Sequence, residues 1–243
     1  MRKLYTWTAA LAALSLVSAL DAGASPVAFG DTHRYWAGYQ NGTGDDTRDT
    51  IGTPDLQGGV AELGASGLLT SIRFDYAGRF TLTASGNGRV IPGDLFLDAG
   101  SDGDWDYVVK LVAGAHTPVA SYASLSVLDV SGESAAYLMS GSDNTGYWRG
   151  WGIRDRHPYA WDGGGSAIGT ASLAPFDPSA PGGSLFFSLG AGLDVGPRVT
   201  IAFAPNCAND VLREEISAPV PEPTAALVFG VGLFVAARAR RRA

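Results

Sequence analysis

The chain carries a single cysteine, Cys207, in 243 residues. No intramolecular disulfide can form, and paired-cysteine metal or redox motifs are excluded, so stability has to come from a packed core. A lone cysteine in such a chain is expected to be a small buried apolar residue rather than a reactive thiol. Histidine is almost as scarce: His33, His116 and His157 each stand alone in their local sequence. Gly-x-Ser-x-Gly elbows, His-Glu-x-x-His zinc sites and glycine-rich phosphate loops are absent as well. These absences leave open only a triad assembled across the fold, or a carboxylate pair of the kind that cleaves glycosides. Positive charge is thin, with 17 basic against 24 acidic residues. Six of the basic residues lie at the two ends of the chain. Without those, and without Asp21 and Glu222, 11 basic and 22 acidic side chains remain, a net charge near −11. Such a body argues against nucleic acid or an anionic membrane surface as partner, and fits solubility and cation binding.

What the chain has in excess is glycine, 33 residues, about twice the usual share. Short apolar stretches sit between the glycines, none long enough for a typical helix. Leu68 to Tyr76 alternates around Ile72, Phe74 and Tyr76, and Phe80 to Ala84 keeps the same period of two before an Asn87-Gly88 pair suited to a hairpin turn. Further strands are expected at Leu95 to Leu97, Tyr107 to Val112, Tyr122 to Val130, Ala135 to Met139, Leu185 to Leu189 and Val199 to Ala204. Gly38 to Gly59, and Asp162 to Gly183 with Pro175, Pro178 and Pro181, have the composition of surface loops. The pattern predicts one all-β domain over residues 25–218, an antiparallel sandwich or jelly roll.

Three constellations in this body have chemical potential. Asp98, Asp102, Asp104 and Asp106 surround Gly103 in DAGSDGDWD, similar to a calcium loop. Gly100 replaces the second Asp, however, and Val109 stands where the closing Glu belongs. The alternative is an acidic turn held by Asx hydrogen bonds. Tyr147 to Trp161 concentrates Tyr147, Trp148, Trp151 and Trp161 with three arginines and His157. Aromatic faces beside polar donors suit a sugar ring, while the competing reading makes the tryptophans core, covered by arginine stems. Asn206 to Val211, NCANDV, resembles a short segment near the tail of exosortase-dependent surface proteins. Structurally it predicts a turn whose hydrogen bonds stay local.

The two ends concern destination. Arg2 and Lys3 precede an apolar stretch, Leu4 to Leu20, and Ala22, Gly23 and Ala24 form a small-residue cleavage site. Residues 1–24 are therefore expected to be a signal peptide, helical in the membrane and cut after Ala24 by signal peptidase following passage through the Sec translocon. An uncleaved anchor is the alternative. At the other end, Pro219, Pro221 and Pro223 hold the chain extended around Glu222. Fourteen uncharged residues follow, Thr224 to Ala237, and then Arg238, Arg240, Arg241 and Arg242, a cluster that resists translocation.

This order over residues 219–243 resembles the PEP-CTERM sorting signal of Gram-negative surface proteins, with Val220, Pro221, Glu222 and Pro223 as the processing motif. The resemblance implies recognition by an exosortase, a membrane-embedded cysteine transpeptidase-like enzyme. It also implies a transmembrane helix and an arginine stop that hold the precursor in the inner membrane until cleavage. The departure is length: fourteen helical residues rise about 21 Å, against the roughly 20 residues of a usual span. A C-terminal anchor that is never cleaved is the plain alternative.

The expected protein is thus an exported, non-catalytic surface or matrix component. Its body would be structural or polysaccharide-binding, with calcium as the one conceivable cofactor. A secreted carbohydrate-active enzyme on a jelly-roll scaffold is the competing expectation.

Overall fold

The computed structural model describes residues 24–36, 49–50, 52–80, 90–114, 117–134, 138–140, 157–219 and 238. The chain divides into two compact units, Ala24–Ala218 and a second made of Met1–Gly23 with Pro219–Ala243. Residues 1–23, 220–237 and 239–243 lie outside the described set, and with them the signal-peptide helix, the Pro-Glu-Pro motif and the apolar run. Among the described residues no helix is long and apolar enough to cross a membrane.

Every described element of the body is a strand. In chain order they are β1 (Ala24–Phe29), β2 (Asp55–Gly64), β3 (Leu68–Ala77), β4 (Pro92–Ala99), β5 (Tyr107–Val109), β6 (Val112–Gly114) and β7 (Thr117–Pro118). There follow β8 (Leu125–Asp129), β9 (Leu138–Ser140), β10 (Pro158–Trp161), β11 (Ser166–Leu173), β12 (Gly182–Asp194), β13 (Arg198–Pro205) and β14 (Leu212–Ser217). Ten of them form one sheet in the order β1-β2-β3-β12-β11-β8-β5-β4-β13-β14, and the pairs β9–β10 and β6–β7 stand apart. Each neighbouring pair is antiparallel.

The all-β, antiparallel expectation holds, but the architecture is one nearly closed sheet instead of two separate ones. Strand β11 explains why. Its residues Ser166 to Ala171 pair with β8, while Ser172 and Leu173 pair with β12, so the ladder turns a corner without a break. The edge strands β1 and β14 come against each other, and just past β1 the Thr32 N–H donates to Glu214 of β14.

Closure brings distant strands face to face. Phe74 of β3 stacks on Phe203 of β13 with ring centroids 5.0 Å apart, and Phe187 of β12 meets both edge-on. Burying side chains of this size stabilises the fold by about 1.5–3 kcal/mol each. A second cluster lies on the opposite face of β4 and β13, where Phe96, Ala202 and Ala204 are covered by Trp36, Tyr159 and Trp161. Gly93 permits this layer: a Cβ there would stand 2.2 Å from the Ala204 carbonyl oxygen and 2.3 Å from that of Tyr159.

Both stretches expected to be loops contain strand. β2 begins at Asp55, inside Gly38 to Gly59, and β11 lies wholly inside Asp162 to Gly183. Gly59 is a strand glycine because of proximity, since its Cβ would come 1.8 Å from the Arg73 carbonyl oxygen on β3. β11 shows no alternation, with five of its eight residues exposed, and is recruited by partners on both sides. Tyr107 to Val112, expected as one strand, is broken into β5 and β6 by buried Asp94. Its Oδ1 accepts the Leu111 and Val112 N–H groups at 2.6 and 2.8 Å. Its Oδ2 accepts Lys110 Nζ at 2.6 Å and the Trp161 N–H at 2.9 Å. Phe80 is described and buried, whereas residues 81–89, with the Asn87-Gly88 turn, lie outside the described set.

Candidate functional site

The link between β13 and β14 is NCANDV, and it is the most polar part of the interior: Asn206, Asn209 and Asp210 are all buried. The expectation of a turn with local hydrogen bonding holds in part, and the other bonds reach across the fold. Asn206 Oδ1 accepts the Ile91 N–H at 3.0 Å. Asn209 Nδ2 donates to the Pro54 carbonyl at 2.8 Å, and Asp210 Oδ2 accepts the Leu56 N–H at 2.5 Å. The Val211 N–H to Asp210 Oδ1, 2.9 Å, and the Cys207 thiol to Asn209 Oδ1, 2.9 Å, are local. Satisfying buried backbone groups at Pro54, Leu56 and Ile91 ties β14's approach to the starts of β2 and β4. Cys207 is a buried free thiol, as its isolation in the sequence suggests, and burial pushes its pKa up to about 12.

Asp210 also forms the floor of a carboxylate group. One oxygen each from Asp31, Asp49 and Asp210 lies within 4.8 Å of the others, the one such acidic group of three or more among the described residues. Exposure falls inward, from exposed Asp49 through half-buried Asp31 to fully buried Asp210. Both Asp31 oxygens are buried and take part in no hydrogen bond. Burial holds the Asp31 pKa up at about 9, reinforced by repulsion from Asp210, Asp49, Glu214 and Asp55. Asp55 is raised too, by burial and then by Asp49. Alongside, Glu214 Oε1 accepts the Thr32 N–H and hydroxyl at 2.6 Å and lies 3.2 Å from His33 Nδ1. The Thr32 hydroxyl also lies 3.1 Å from His33 Nδ1, so hydroxyl, imidazole and carboxylate form one small network.

Among the described residues, the acidic turn and the aromatic segment singled out in the sequence lie elsewhere. Asp98, Asp102 and Asp106 cap backbone in the β4–β5 turn. Asp98 accepts the Asp102 and Gly103 N–H groups at 3.0 Å each, Asp102 accepts Asp104 N–H at 3.2 Å, and Asp106 accepts Ala99 N–H at 2.7 Å and the Ser131 hydroxyl at 3.0 Å. Burial raises the Asp98 pKa. Trp105 from the same turn packs beside Trp36 and Phe96, anchoring the loop to the second cluster. Trp161 is 3% exposed, with its indole N–H donating to the Gly164 carbonyl at 2.8 Å, so it offers no face to a sugar. His157 is fully buried beside it in sequence. Tyr147, Trp148 and Trp151 lie outside the described residues, as do Ala22, Val220, Pro221, Glu222, Pro223, Arg240, Arg241 and Arg242; Ala24 opens β1 as an exposed residue, and Arg238 is described and exposed.

Asp31 and Asp49 carry no sequence motif, and Asp210 stands out in the sequence only as part of the NCANDV turn. They come from three distant segments, and only the approach of β14 to the chain after β1 and before β2 brings them together. No protein-family model, curated protein or solved structure matches the chain.

Proposed function

We propose that this is an exported surface protein, delivered by the Sec translocon, trimmed by signal peptidase and sorted by an exosortase. Its β body is a non-catalytic structural or polysaccharide-binding module of the extracellular matrix. The observation that carries the reading is the order of the last 25 residues: the Pro-Glu-Pro element, an uncharged run, then four arginines. The strand arrangement is compatible with it, because the body's first paired residue is Ala24 and its last strand ends at Ser217. The described strands of the sheet thus run from Ala24 to Ser217, between the proposed signal peptide and the proposed sorting signal.

Mass spectrometry of the mature protein from its native host tests the sorting. A C-terminus near Val220 to Pro223 is the expected result, and an intact arginine tail overturns it. Replacing Glu222 and the flanking prolines with alanine should leave the precursor uncut. For the body, retention on the host's own polysaccharide should fall when Tyr147, Trp148 and Trp151 are changed together to alanine. With Tyr159 and Trp161 both buried, those three are the Tyr and Trp residues of that segment left as candidates for a stacking surface.

A further inference from the structure

We propose that Asp31, Asp49 and Asp210 bind a divalent cation of the calcium class, a site independent of how the chain is sorted. The donors are all oxygen, the preference of hard cations, which take six to eight such ligands at about 2.3–2.6 Å. Oxygens on opposite sides of an ion of that kind stand about 4.8 Å apart, and one oxygen from each of the three carboxylates lies within that distance of the others.

A cluster of acids alone would signify little, because exposed carboxylates gather freely in an acidic protein. Asp31 is what distinguishes this group. Both of its oxygens are out of solvent and accept no hydrogen bond, although a buried polar atom without a partner is costly and native structures hold few. Among the described residues, the charges that bear on it, from Asp210, Asp49, Glu214 and Asp55, are negative. A cation supplies both a partner for these oxygens and a countercharge to the acidic groups around them. Asp210 is fixed for the task, since the Leu56 and Val211 N–H groups orient its two oxygens from the protein side. Exposed Asp49 forms the solvent side, where water completes the shell.

A proton on Asp31 is the rival explanation, and the two predict opposite behaviour. The full chain in mild detergent, stripped with chelator, is titrated with calcium chloride by calorimetry and by thermal unfolding at neutral pH. One calcium per chain is expected, with a dissociation constant on the order of 1 mM or tighter, and a midpoint of unfolding that climbs with calcium concentration. Asp31→Asn should fold, because the carboxyl it replaces makes no hydrogen bond, and should weaken calcium binding at least about tenfold. Asp49→Asn, on the solvent side, should weaken it less. A double Asp102→Asn, Asp104→Asn variant of the β4–β5 turn should bind as the parent does. Absence of binding up to about 10 mM calcium overturns the site. So does unchanged binding in Asp31→Asn, or loss of binding confined to the turn variant. Stabilisation by Asp31→Asn with no calcium response in the parent assigns the buried carboxyl to a proton instead, and also overturns it.

Discussion

Strands β4 and β12 belong to the same sheet, yet β4 is buried at every residue but its last while β12 alternates between covered and bare positions. The aromatic residues show the consequence. Phe96 on the outer face of β4 is fully buried, whereas Phe186 on the outer face of β12 is 44% exposed. Their inner faces share one core, so the difference comes from what lies outside. β10, Trp36 and Trp161 roof the β4–β13 side, and burial there has forced polar groups inward with it. Asp94, Asn206, Asn209 and Asp210 all lie on the roofed half or at its margin. A sheet with one wet face needs only alternation, but one covered on both sides must satisfy every polar group it traps.

Breaking the roofed half at its polar centre should cost most. Asp94→Ala would leave three backbone N–H groups without their acceptor and the Lys110 ammonium with the Trp161 carbonyl but no countercharge, and is expected to lower stability by about 3–5 kcal/mol in guanidinium unfolding. Phe96→Ala should cost about 3–4 kcal/mol, because it empties a cavity between Trp36 and Trp105. If Phe96→Ala proved as mild as a surface change, the second cluster would not be a core. Asn209→Ala removes one long-range bond to Pro54 and one partner of Cys207, for about 1–3 kcal/mol. On the open half, Phe186→Ala should stay within about 0.5 kcal/mol of the parent. The smallest change is chemical: native Cys207 should resist alkylation at pH 8, since a thiol held at about 12 is protonated and buried, and should react once denaturant opens the body.

Legibility in the sequence follows the same division. Leu68 to Tyr76 shows its period of two because one face of β3 meets more polar surroundings, and the observed strand runs Leu68–Ala77. Leu95-Phe96-Leu97 and Ile201-Ala202-Phe203-Ala204 are unbroken apolar runs, the mark of strands covered on both faces, and both lie within strands. β11 and β14 have no comparable signal. Ser166 to Leu173, small residues apart from Ile168 and Leu173, forms a strand because β8 and β12 offer ladders on either side. Leu212 to Ser217 carries Arg213, Glu214 and Glu215 and is held by β13. The glycines of β2 resemble a turn until the Arg73 carbonyl is placed against Gly59. For the site, the acidic turn Asp98 to Asp106 was conspicuous because its carboxylates are neighbours in sequence, and neighbours in sequence serve mainly to cap their own turn.

Taken alone, the order of residues determined the class of the body, the absence of crosslinks, the burial of Cys207 and the β-strands with strong apolar patterning, because each depends on local preference or composition. Closure of the sheet, the roof over β4 and β13, the long reach of Asn206, Asn209 and Asp210, and the meeting of Asp31, Asp49 and Asp210 were decided only in three dimensions. Those contacts join segments up to 180 positions apart, and their energies come from desolvation and from partners that no local window of sequence contains.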